Sequence, residues 1–160
     1  MDRAAPHSVT IRLAESSDRD AWIRLRDALW PGTPDDHRSE VDAFLSRPSP
    51  RDACFLAVAP DGAVIGFAEA RLREYADGCV TSPVGYLEGI WVEPDHRRTR
   101  VGEALVAAVE GWARSRGCTE MASDRALDNE ASGRFHEAAG FEEVERAVLY
   151  RKTLDPGALD

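Results

Sequence analysis

The sequence predicts one mixed α/β (α+β) domain, and three observations carry the prediction. The apolar period changes repeatedly between two and about 3.6 residues. Proline, glycine or a capping residue marks most of the changes. No internal repeat, low-complexity tract or linker divides the 160 residues, 43% of them hydrophobic, so residues 1–160 read as one unit with a single core.

In chain order, "SVTIRLA" alternates Val9, Ile11 and Leu13 as a half-buried strand does. In "SSDRDAWIRLRDALWPG", Ser17 and Asp20 suggest a capping box, Trp22, Leu25 and Leu29 share a helical face, and Pro31-Gly32 stops the helix. A second helix is expected over "DDHRSEVDAFL", followed by strands "ACFLAVA" and "AVIGFAEARLR" joined by a "PDG" turn. The loop "YADGCVTSP" leads to the strand "VGYLEGIWVEP", ended by Pro94, whose alternation places Tyr86, Glu88 and Ile90 on one face. The helix "VGEALVAAVEGWARSRG" lines up Val101, Leu105, Ala108, Val109 and Trp112 and has Gly117 as C-cap. After a short strand "TEMAS", "DNEASGRFHEAAG" is a helix opened by Asp128 or Asn129 and closed by Gly140. "FEEVERAVLYRKT" alternates again and predicts a last strand.

Charge narrows the function classes. With 29 acidic against 20 basic side chains and a net charge of -9, the chain lacks the basic balance of a nucleic-acid-binding surface and suits a small cationic partner. Cys54, Cys79 and Cys118 are odd in number without a CxxC, which points to reduced, cytoplasmic thiols rather than disulfides or zinc. His7, His37, His96 and His136 share no metal-ligand spacing. The opening "MDRAAPHSVT" has no apolar core of a signal peptide, and no stretch approaches the roughly 20 apolar residues of a membrane span, so a soluble, unexported protein is expected.

Against this acidic background, "EPDHRRTRVGEALV" puts Arg97, Arg98 and Arg100 just before a helix. Positive charge is unfavourable at the positive end of a helix dipole, so an anion belongs there. A strand that runs through a glycine-containing turn into a helix start presents free N–H groups for that anion. The segment fits neither GxxxxGK[ST] nor GxGxxG.

"WVEPDHRRTRVGEALV" resembles the acetyl-CoA-binding motif of the GNAT superfamily, R/Q-x-x-G-x-G/A, with Arg97 first, Arg100 in place of the first glycine and Gly102 at the second. "LWPG", "CVTSPVGYLEGIWV", "GCTEMASD", "NEASGRFHEAAGFEEVER" and "LYRK" extend the likeness over about residues 9 to 153, to the chromosomal aminoglycoside 6'-N-acetyltransferases. The resemblance implies a GNAT fold, a curved, mostly antiparallel mixed sheet with helices on both faces. It implies acetyl-CoA as co-substrate, no metal, and an aminoglycoside or other polycationic amine as acceptor.

Site residues follow by position. Arg98, Thr99, Arg100, Val101, Gly102 and Glu103 would cradle the diphosphate, with Arg97 assisting. Backbone groups of Ile90, Trp91 and Val92 would line the pantetheine arm, and Asn129 would add a coenzyme contact. Glu88, Asp124 and Glu145 match positions that bind the cationic sugar, with Glu88 or Asp124 accepting the amine proton. Trp30 and Tyr75 would line the sugar site, and Tyr150 would protonate the departing thiolate. Thr33 departs from the histidine that usually follows "WPG". With no cysteine in a nucleophile context, transfer would be direct, in a ternary complex. The resemblance also implies a homodimer, in which the last strand could pair or swap. Two alternatives stay open: a GNAT enzyme for a polyamine, metabolite amine or protein lysine, and a non-catalytic acetyl-CoA-binding module.

Overall fold

The computed structural model describes residues 8–157, so the expectations for residues 1–7, His7 included, and for residues 158–160 lie outside the described residues. The strands are β1 Thr10–Leu13, β2 Asp52–Val58, β3 Val64–Arg73, β4 Val84–Val92 and β5 Met121–Ser123. The helices are α1 Arg19–Leu29, α2 Pro34–Ser46, α3 Val101–Ser115 and α4 Glu130–Ala138. They form one sheet in the order β1-β2-β3-β4-β5, antiparallel up to β4 and parallel between β4 and β5.

Alternation along the strands sends side chains to two cores. On one face Trp22 and Leu25 of α1 and Val41 of α2 cover Leu56 and Phe67. On the other, Val101, Leu105, Val106 and Val109 of α3 cover Ala57, Ala68, Ala70 and Leu87, with Phe135 of α4 against them. Helix ends follow local chemistry. Asn129 caps α4 by accepting from the Ser132 N–H at 3.1 Å, and Gly117 (φ +84°) turns the chain after α3.

Three expectations need correction. The reciprocal cap before α1 is made by Glu15 and Asp18 rather than Ser17 and Asp20: the Glu15 N–H donates to Asp18 Oδ2 at 2.8 Å, and Arg12 forks onto the same carboxylate at 2.7 and 2.9 Å. A buried carboxylate with a guanidinium partner is a better terminator than an exposed serine, and Arg12 holds Asp18 below the ordinary carboxylate range.

The second correction concerns β4. Glu69 faces Gly89, yet Ala70 faces Leu87, so Glu88 is the extra residue of a bulge. Alternation therefore breaks at Glu88. Ile90 packs into the α3 core, whereas Glu88 pairs with Arg73 and Gly89 faces Trp30 at the end of α1.

The third is the last strand. Residues 141–157 carry no strand pairing, and Val144, Val148, Leu149, Tyr150 and Leu154 are exposed. An alternating pattern makes a strand only where a neighbour supplies the other half of the ladder, and none does among the described residues.

Beneath α1 and α2 lies a buried polar cluster. Arg26 Nη1 donates to both oxygens of Glu69 at 2.7 and 2.9 Å, and Trp22 Nε1 donates to Glu69 Oε1 at 2.7 Å. Arg26 Nε reaches His37 Nδ1 at 3.3 Å, His37 Nε2 lies 2.8 Å from the Trp30 carbonyl, and Glu40 pairs with the same guanidinium. Burial pushes the Glu69 carboxyl above its ordinary value, against the pull of Arg26 and Trp22. Removing one partner of such a pair leaves the other charge buried and uncompensated. Glu69→Ala is therefore expected to cost about 3–5 kcal/mol in urea unfolding, and Glu69→Gln less, because its amide oxygen still accepts two of the three bonds, from Trp22 and Arg26.

Candidate active site

The site begins where β4 and β5 part. Their register runs Gly85↔Met121, Tyr86↔Ala122, Leu87↔Ser123 and stops. Beyond Leu87, β4 continues to Val92 with β3 on one side and, among the described residues, no strand on the other. The side chains of Ile90 and Trp91 pack into opposite cores. The backbone groups of Ile90 and Val92 face the open edge, while those of Trp91 turn toward β3; such an edge is the arrangement that accepts an extended ligand as an added strand.

The chain then turns through Pro94–His96 into the arginine segment. Arg98 (φ 60°) and Arg100 (φ 68°) both adopt the left-handed conformation that glycine favours. This explains why a glycine suits position 100, and it shows that arginine retains the turn. The first bond of α3 runs from the Ala104 N–H to the Arg100 carbonyl at 3.0 Å, leaving the preceding N–H groups outside the helical ladder. Val101 is buried, so only its backbone can meet a ligand. Arg100 pairs with Glu103 at 3.0 Å. Arg97 folds back over the Trp91 ring, 4.5 Å from its centroid, and donates to the Val92 carbonyl at 2.9 Å. Gly102 permits α4 to approach, since a Cβ there would lie 2.8 Å from Phe135 Cε2.

Two acids stand on either side of the parting. Arg73 forks onto Glu88 at 3.0 and 2.8 Å and stacks on Tyr86, 3.4 Å from the ring centroid. The Tyr86 hydroxyl donates to Asp124 Oδ1 at 2.6 Å. Burial and Asp124 push the phenol above its ordinary value, so Tyr86 stays a neutral donor. Glu88 likewise pushes Arg73 upward. Arg73 and Tyr86 thus join Glu88 to Asp124 although neither was read as a site residue. Tyr86 carried a partial signal in its alternation with Glu88, while Arg73 carried none, because only the sheet places it beside Glu88.

The expected acceptor residues fall into two adjoining clefts. Tyr75, Asp124 and Glu145 line a cavity of about 950 Å³ with Arg73, Tyr86 and Ser123. Trp30 and Glu88 line another of about 610 Å³ with Glu69 and Asp52. Arg73, on the wall of the first, forks onto Glu88, on the wall of the second. Tyr75 bonds to Asp77 at 2.8 Å. Thr33 lines neither cleft; its hydroxyl lies 3.2 Å from His37 Nε2. Tyr150 is 93% exposed in the unpaired C-terminal segment. Among the described residues, no cluster of three or more His, Cys, Asp or Glu could hold a metal, and no helix is long and apolar enough to cross a membrane.

Comparison with known proteins gives consistent findings. The pattern of the Acetyltransferase (GNAT) family matches residues 21–141. The chain is 50% identical over 149 residues to aminoglycoside N(6')-acetyltransferase type 1 of Klebsiella aerogenes, covering 92% of this chain and 98% of that protein. It is 47% identical over 146 residues to the Serratia marcescens protein of the same name, covering 90% and 99%. AAC(6')-Iy in complex with the bisubstrate analogue CoA-S-monomethyl-acetylneamine superposes with TM-score 0.85 at 44% identity, over 92% of this chain and 99% of that one. AAC(6')-Iy in complex with CoA gives 0.86 at 42% identity, over 94% and 100%.

Trp30 owes its place to Gly89. A Cβ at Gly89 would lie 2.4 and 2.5 Å from Trp30 Cη2 and Cζ2. Gly89→Ala is therefore expected to displace the indole and cost about 1–3 kcal/mol. Chemical unfolding checks the cost, and an emission shift that is lost when Trp30→Phe is added checks the cause.

Proposed function

Since the chain belongs to the acetyltransferase (GNAT) family, and within it to the group of the type 1 aminoglycoside N(6')-acetyltransferases, we propose that it transfers acetyl from acetyl-CoA to the 6'-amino nitrogen of aminoglycosides and thereby confers resistance. The observation that carries this reading is the pair Glu88 and Asp124, held by Arg73 and Tyr86 where β4 leaves β5.

The open edge of β4 at Ile90, Trp91 and Val92 receives the pantetheine arm, and a backbone N–H there polarises the thioester oxygen. The turn from Arg97 through Arg98, Thr99, Arg100, Val101, Gly102 and Glu103 takes the diphosphate on helix N–H groups and arginines. Asn129 stands at the start of α4, its side-chain oxygen engaged by the cap. Glu88, Asp124 and Glu145 draw in a polycation, and Trp30 and Tyr75 offer it aromatic faces. Thr33 acts at one remove, through His37.

A field that attracts ammonium groups also stabilises the protonated amine, so one carboxylate must accept its proton. Both oxygens of Glu88 are engaged by Arg73, whereas Asp124 Oδ2 has no hydrogen bond among the described residues. Asp124 is accordingly the proton acceptor and Glu88 a cation-binding group. Tyr150 is exposed in its own chain, within the segment that a second copy would pair with. The exposed apolar residues of 142–157 support a homodimer in which this segment finds a partner strand. A cytoplasmic location belongs to the same reading, since Cys54, Cys79 and Cys118 are free thiols.

The deciding assay is steady-state CoA release by purified protein with kanamycin, its analogue bearing hydroxyl for the 6'-amine, and spermidine. Turnover with kanamycin alone is expected; preference for spermidine would move the acceptor class, and none with any amine would leave a binding module. Asp124→Asn should lower kcat about a hundredfold, while Glu88→Gln should act mainly on the aminoglycoside KM. Light scattering should give twice the 17.6 kDa chain mass; a monomer would overturn the dimer.

A further inference from the structure

Beside Asp124, at the point where the strands part, stands a hydrogen-bonded Ser123 and His136 pair that no assignment above uses. Ser123 is the last paired residue of β5, and its Oγ lies 3.1 Å from the carbonyl of Leu87, the last paired residue of β4 on that side. The same Oγ lies 2.8 Å from His136 Nε2 on α4. His136 Nδ1 in turn lies 2.7 Å from the Ser132 carbonyl, one turn earlier, and 3.3 Å from the Ser132 hydroxyl. Phe141 packs edge-on against the ring at 5.4 Å. Ser123 and His136 both line the cavity that holds Asp124 and Tyr86.

The contacts dictate where the protons sit. A carbonyl only accepts, so Nδ1 carries a hydrogen toward Ser132. The Leu87 carbonyl also only accepts, so the Ser123 hydroxyl hydrogen points there. All contacts are then satisfied when Nε2 carries a hydrogen too and donates to Ser123 Oγ, which is the imidazolium form. In that form a transferable proton stands behind a hydroxyl at the mouth of the β4/β5 gap. Charged groups on the same cavity wall include Asp124 and Arg125 after β5, Glu137 on α4, and Glu142, Glu143, Glu145 and Arg146 of the C-terminal segment, and among the described residues none bonds to the ring.

We infer that Ser123 is the proton donor to the departing CoA thiolate and that His136 resupplies it. The inference rests on the acetyl-transfer reading. As the amine nitrogen bonds to the acetyl carbon and the C–S bond breaks, the sulfur keeps the electron pair. The Ser123 hydroxyl turns from the Leu87 carbonyl and gives its proton to that sulfur. Ser123 Oγ takes the Nε2 proton of His136, leaving neutral imidazole, which is reprotonated from solvent. The proton shed by the amine leaves separately through Asp124. A serine alone is too weak an acid to protonate the thiolate of a thiol with pKa about 8.5, which is why the imidazolium is needed. One chain supplies the whole relay, without Tyr150.

The test compares Ser123→Ala, Ser123→Thr, His136→Gln and Tyr150→Phe with the parent, measuring kcat and both KM values for kanamycin and acetyl-CoA across pH. Ser123→Ala and His136→Gln are each expected to lower kcat about a hundredfold with KM values little changed. Ser123→Thr, which keeps the hydroxyl, should recover most of the rate. Glutamine keeps a donor to Ser123 but no transferable proton, so a purely structural pair would survive His136→Gln. His136→Gln should also change the pH profile of kcat relative to the parent. Unchanged kcat and pH profile in Ser123→Ala and His136→Gln would overturn the assignment, as would a loss confined to Tyr150→Phe or one expressed only in the acetyl-CoA KM. If the parent itself turned over no amine, the acetyl-transfer reading would fall first and this assignment with it; parental turnover matched by the variants would sink the relay alone.

Discussion

The parting of β4 from β5 is the constraint on which the rest of the site depends. A parallel pair that stays together offers no backbone to a ligand, because every peptide group between the strands is spent on the ladder. Here the pairing ends after three residues, and β4 runs on for five more with one side open. What stands at the fork is chemical: Ser123 and Asp124 at the end of β5, Leu87 and Glu88 at the matching point of β4. The bulge at Glu88 adds to this, since the extra residue turns a carboxylate out of the alternation that would otherwise govern it. Strand geometry thus delivers an extended binding edge and ionisable groups to one place.

The opposite face of the sheet determines how firmly the acceptor side is built. Glu69, Arg26, Trp22 and His37 form a closed chain of bonds that ends on the Trp30 carbonyl. Buried polar groups in such a chain add little net stability compared with an apolar core, yet each is costly to leave unpaired. They restrict α1 and α2 to one seating on the sheet. Arg26 also lies 5.2 Å from the centre of the Trp30 ring, and Gly89 leaves the room the indole occupies. The Trp30 wall of its cleft is therefore an extension of the core, while Tyr75, exposed on its loop, is bonded to Asp77.

Much of this was legible in the sequence wherever the controlling physics is local. Among the described residues, apolar periods together with capping and turn residues located the four α-helices and the five strands, and Asn129, Gly117 and Pro94 bound elements as their backbone preferences require. The residues that escaped are those whose role depends on a neighbouring element. A bulge is a relation between two strands, so "YLEGIWV" read alone alternates cleanly and misplaces Ile90. Arg73 has meaning only beside Glu88, and Ser123 in "EMASD" looks like any small residue until α4 brings His136 to it. The C-terminal segment fails for the converse reason. Its alternation is sound, but no neighbouring strand pairs with it among the described residues.

The arginine segment shows how local cost and function are reconciled. Left-handed backbone at a non-glycine residue costs roughly 1–2 kcal/mol, and Arg98 and Arg100 both adopt it. The exposed pair Arg100–Glu103 offsets little of this, because solvent screens it. Like charges beside the positive end of α3 add to the cost. What these features share is a common remedy. An anion in the turn accepts the free N–H groups, neutralises the crowded guanidiniums and uses the backbone shape that the strain maintains. The open edge of β4 leads directly into that turn, so a ligand with an extended arm and an anionic end meets both. In a chain with a net charge of -9, the proposed function gives the cationic end to one substrate and the acids at the fork to the other. Opposite fields at the two ends of the proposed site would orient such a ternary complex before any bond changes.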